Sequence, residues 1–277
     1  MGDTLNSWSD AGGTLILNSG GTYNPSSNAL VAGNNEIDIN SGATASSLYP
    51  LSGNKLVIGS NGSAADVTIN SGATAVFSAG AIEYATLNGG VISAYNSPPY
   101  FTWGSSGGTL ILESGVVDAG ETTSAGNANI YVNSGAILQK TAILSGNTLE
   151  VKSGGVVSSF TISSDGGVGV QGFTSSATVS NGGVLEVASG GTIANNTVES
   201  GGSLYARDEG VIGTTTVSSG GSLYAFSGGV ISGNVTAERG AQVTIPSTAG
   251  GTVTLTGDGN SDLVITGNTS PTTVISG

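Results

Sequence analysis

Residues 184–240 read VLEVASGGTIANNTVESGG, SLYARDEGVIGTTTVSSGG and SLYAFSGGVISGNVTAERG, three copies of one unit of about 19 residues laid end to end. Each copy opens on an alternating run: Leu185-Glu186-Val187, Leu204-Tyr205-Ala206, Leu223-Tyr224-Ala225. A glycine turn follows, then Thr197-Val198, Thr216-Val217 or Thr236-Ala237, then a second turn of small residues. A strand–turn–strand–turn unit this short cannot bury its own apolar side. It gains a core only by stacking on its neighbours, each strand pairing with the same strand one coil along. The spacing therefore predicts an all-β chain, a parallel β-helix or β-solenoid.

The leading apolar residue of each coil can be followed through the whole chain: Leu15, Ile37, Leu56, Ala75, Ile92, Leu110, Ile130, Leu149, Val168, Leu185, Leu204, Leu223, Val243 and Leu263. The intervals run from about 17 to about 22 residues, which predicts about 14 coils of about 19 residues in one domain spanning 1–277. A second inward residue falls two positions on, and the residue between points outward, because side chains alternate across a strand. Corners read Ser-Gly-Gly or Gly-Asn, as at Ser200-Gly201-Gly202 and Gly53-Asn54, and supply the positive φ that sharp turns need.

Composition removes whole classes of chemistry. Glycine makes up 48 of 277 residues, too much for helices but suited to many tight corners. With no cysteine and no histidine there are no disulfides, thiolates, histidine-assisted nucleophiles or ordinary zinc sites. No metal or cofactor is expected. Eighteen acidic and five basic residues give a net charge of −13, so nucleic acid and anionic lipid find no cationic surface. No apolar run is long enough to span a membrane, so this segment is not expected to insert into one. Met1-Gly2-Asp3 opens without a signal peptide.

A threonine recurs seven residues before the leading position, at Thr68, Thr123, Thr161, Thr178, Thr197, Thr216 and Thr236. Stacking would align these into a ladder. It reads either as β-branched residues suited to a strand or as a hydroxyl-rich self-association or glycosylation face, with Thr161 to Thr236 its best-kept part. An ice-binding array would need two such columns, and one is evident. One coil departs from the pattern: between Ile92 and Leu110, Tyr95, Tyr100, Phe101 and Trp103 cluster around Pro98-Pro99. These rings form either a ligand site for sugars or a plug over the solenoid interior.

No catalytic constellation is visible. Acids are scattered at about one per coil, and the densest group, Arg207-Asp208-Glu209, carries its own counter-ion at a corner. Glu36 and Asp38 share a strand face, with Lys55 placed one coil along from Glu36. A polysaccharide-active enzyme on a β-helical frame remains the alternative, on fold analogy alone.

The stretch VSNGGVLEVASGGTIANNTVESGGSLYARDEGVIGTTTVSSGGSLYAFSGG resembles the passenger repeat of AIDA-type self-associating autotransporter adhesins of Gram-negative bacteria. The resemblance is strongest from about Asn147 to Gly240 and weaker from Gly13 to Gly146. It implies a right-handed β-helix displayed at the cell surface that mediates adhesion, autoaggregation and biofilm formation, with sugar on some serine or threonine hydroxyls. The partners it implies are further copies on neighbouring cells, or host surface glycans and proteins. A single copy in dilute solution is expected to be a monomer. The outer-membrane barrel of that family is not in this sequence.

Overall fold

The computed structural model describes residues 4–5, 12–25, 33–79, 81–82, 85–96, 101–118, 127–163, 165–188, 190–257 and 261–277. Every regular element among them is a β-strand, and the strand pairings that define the sheets are parallel and in register. The chain is a parallel β-solenoid, and fourteen leading strands carry the fourteen leading apolar residues. Two compact units divide it, Met1–Asp118 with Ser124–Tyr131, and Ala119–Thr123 with Val132–Gly277.

Each unit has a leading sheet, built from the strands that carry the leading apolar residues, and a trailing sheet built from the strands that follow them. In the first unit the leading strands run Thr14–Leu17, Glu36–Ile39, Lys55–Ile58, Thr74–Ser78, Val91–Tyr95 and Gly108–Leu112. In the second they run Thr148–Val151, Gly167–Val170, Val184–Val187, Ser203–Ala206, Ser222–Ala225, Gln242–Pro246 and Asp262–Thr266. The register matches the sequence spacing residue for residue: Leu149 pairs with Val168, Val168 with Leu185, Leu185 with Leu204, and Leu204 with Leu223. These side chains form a buried column, because each apolar residue lies over another one strand along. Leading residues from Ile37 to Val243 are buried, whereas Leu15 and Leu263, on the outermost leading strands, are only half-buried.

The corners use their two glycines differently. At Ser200-Gly201-Gly202 only Gly201 has positive φ, at 75°. Gly202 is required for another reason: a Cβ there would sit on the carbonyl oxygen of Val179, one coil back. In the Gly-Asn corners, Gly53 supplies the positive φ of 83° and Asn54 turns inward. Its side-chain oxygen accepts the backbone N–H of Asn35 at 3.2 Å, a donor shared with the Gly33 carbonyl oxygen at 2.9 Å. At Ser200-Gly201-Gly202 and Gly53-Asn54 only one residue has positive φ, whereas at Ser106-Gly107-Gly108 both glycines do.

Candidate contact face

In the second unit the trailing sheet bends into two legs at a corner where Ser159, Ser176 and Asn195 have positive φ. The leg after the corner carries the threonines. Thr161 pairs with Thr178, Thr178 with Thr197, Thr197 with Thr216, and Thr216 with Thr236. The column continues through Thr254 to Ser276, and Thr254 Oγ1 lies 3.0 Å from Ser276 Oγ. All of these residues point outward, half-buried or exposed, while their neighbours Ile162, Val179, Val198 and Val217 are buried.

A second hydroxyl column lies two residues on, contrary to the single column visible in the sequence. It holds Ser163, Ser180, Glu199, Ser218, Glu238 and Thr256, whose backbone N–H groups all donate one coil back. Ser180 Oγ donates to Glu199 Oε2 at 2.6 Å. The two glutamates interrupt what would otherwise be a flat Thr-X-Ser surface.

The leg before the corner presents apolar side chains. Ile137 pairs with Val156, Val156 with Phe173, Phe173 with Thr192, Thr192 with Val211, and Val211 with Val230. Phe173 is 41% exposed and Val230 38%. Ser158, Ser175 and Ala194 form a column of small residues beside it. None of these side chains is charged, so the leg offers apolar surface in a chain of net charge −13.

In the first unit Thr68 pairs with Thr86 and Thr86 with Thr102, with the Oγ1 atoms of the last two 3.4 Å apart. Thr123 lies outside the described residues. Sequence counting missed Thr86, Thr102 and Thr254 because their distance to the next leading residue is not seven. The signal that finds them is cross-strand register.

The aromatic coil divides between two sheets. Phe101 and Trp103 lie on a trailing strand opposite the buried Ala85 and Leu87, so they occupy the inward register. Their rings meet edge to face, centroids 5.0 Å apart, and Trp103 Nε1 is buried with no hydrogen-bond partner. Tyr95 ends a leading strand beside Ser78, exposed. Tyr100 and Pro98-Pro99 lie outside the described residues.

Among the acids, Lys55 Nζ donates to Glu36 Oε1 at 2.6 Å, as the spacing predicts. Arg207 departs from expectation. It pairs with Glu186 one coil back at 3.5 Å rather than with Asp208 or Glu209, and its guanidinium carbon lies 4.2 Å from the Phe226 ring centroid. Asp208 and Glu209 both have positive φ, so the turn directs their side chains away from the strand face on which Arg207 lies. Tyr205 and Tyr224 stack at 5.5 Å on the outward side of the leading sheet. Among the described residues no group of three or more His, Cys, Asp or Glu is placed to hold a metal ion.

No family model and no curated protein matches this sequence. Among solved structures, the chain is similar to a fragment of TibA that was hyper-glycosylated by TibC, at 25% identity and a TM-score of 0.47. That likeness covers 96% of this chain and 92% of the fragment.

Proposed function

We propose that this chain is an adhesin module of the cell surface that joins cells to one another, or to host surfaces, through the trailing sheet of its second unit, and so drives autoaggregation and biofilm formation. The observation that carries this reading is the unbroken outward column from Thr161 to Ser276, flanked by the apolar column from Ile137 to Val230. Each cross-strand hydroxyl pair contributes a few tenths of a kcal/mol at most. Repetition multiplies such contacts, so one face is weak alone and effective when many copies meet. The sequence resemblance to self-associating adhesins points the same way. Export to the Gram-negative cell surface and sugar on exposed hydroxyls belong to this reading too.

The test is to display the full chain on cells and follow their settling and surface attachment against cells displaying none. Displaying cells should settle faster. At very low ionic strength the acidic copies repel, so settling should quicken as salt rises towards physiological levels, where charges are screened beyond about 8 Å. Unchanged settling and attachment would remove the proposal.

A further inference from the structure

The leading sheet of the second unit contains a cleft of about 360 Å³, in the size range of small-ligand sites. Its floor is the strand Gly167–Val170, where Gly167 and Gly169 occupy the two outward positions. In register on either side stand Thr148 and Glu150, and Val184 and Glu186. The two carboxylates thus belong to strands two coils apart, about 10 Å at the usual strand spacing.

Neither glycine is needed by the backbone. Both lie in extended strand, and neither has positive φ. A Cβ at Gly167 would meet nothing within 4 Å, and the nearest atoms to one at Gly169 belong to the movable end of Glu150, at 2.9 Å and beyond. Gly202, by contrast, is pinned against a carbonyl oxygen. Glycine inside a strand weakens it and marks places where something approaches the backbone closely. Here the fold supplies no such neighbour.

We infer that this cleft is a binding site for a neutral saccharide. The flat glycine floor accepts the apolar face of a pyranose ring, and Glu150 and Glu186 accept its hydroxyl protons from both walls. Each carboxylate already has a cation, Lys152 at 3.3 Å and Arg207 at 3.5 Å. The site is locally balanced, so a neutral polyhydroxyl ligand fits it better than a cationic chain. The cleft lies on a different sheet from the contact face, and the inference does not depend on that face.

The test is saturation-transfer NMR of the full chain with cellotetraose, maltotetraose and chitotetraose, and with tetralysine for comparison. The parent and the double variant Gly167→Thr/Gly169→Thr would be measured, with melting recorded for both. The double variant should melt at or above the parent temperature. At least one of the tetrasaccharides should bind the parent, and the filled cleft should weaken that binding at least tenfold. The inference is overturned if none of the three saccharides binds, if binding survives the substitutions, if tetralysine alone binds, or if the variant melts lower because the glycines serve the fold.

Discussion

Asp38 lies on the outward side of its strand, between Ile16 and Val57 on the neighbouring coils. Its Oδ1 is buried without a hydrogen-bond partner. That burial raises its pKa above the ordinary carboxylate value, Glu36 raises it further, and Lys55 opposes the shift. The folded state therefore holds this proton more tightly than the unfolded chain, and stability falls as pH rises from the ordinary value through the raised one. Asp38→Asn should raise the melting temperature at neutral pH and flatten the pH dependence on the acid side, measured by melting from about pH 3 to about pH 7. A variant less stable than the parent at neutral pH would contradict this. Lys55 shifts upward chiefly through its hydrogen bond to Glu36, so its contribution is present at neutral pH and is lost as pH rises through its raised value. Deeper in the same architecture, Leu204 sits fully buried between Leu185 and Leu223. Leu204→Ala should cost about 3 kcal/mol, the usual range for such a cavity. Glu186→Ala removes one exposed ion pair and should cost less than about 0.5 kcal/mol. Denaturant unfolding of the two variants measures the contrast, and equal losses would mean the inward register is wrong.

At the scale of strands and corners, the leading sheet was legible because its signal is local. An apolar–polar–apolar triplet fixes which side faces inward, and Leu149, Val168, Leu185, Leu204 and Leu223 pair as that alternation requires. The trailing sheet was legible only where a constant seven residues separate the threonine from the next leading residue. Thr178, Thr197 and Thr216 fall into register at a constant offset, but Thr86, Thr102 and Thr254 are displaced along the chain by turns of other lengths. Stacking restores their register through backbone hydrogen bonds, which no count along the sequence contains. The apolar column through Phe173 and Val211 went unseen for a similar reason: each coil adds one such residue, at a short strand broken by a corner. Composition did not foretell that Phe101 and Trp103 take the inward register while Tyr95 faces solvent, since an aromatic ring suits either side of a strand.

At the scale of the whole molecule, net charge and contact face oppose each other. A chain of charge −13 repels its copies at long range, and only short-range contacts from uncharged columns can bring two copies together. Such contacts favour a monomer in dilute solution and clumping between cells crowded with copies. The most direct test places charge on the hydroxyl column itself. Thr178→Glu with Thr216→Glu puts two carboxylates on alternate coils, beside Ser180 and Ser218 rather than beside Glu199 or Glu238, so they do not face each other across adjacent strands. The double variant should keep the parent's circular dichroism and melting temperature within a few degrees. The decisive measurement is the settling rate of cells displaying it at physiological salt. The account expects settling to fall towards that of cells displaying nothing; a folded double variant whose cells settle as fast as the parent's would show that the threonine column is not the contact surface.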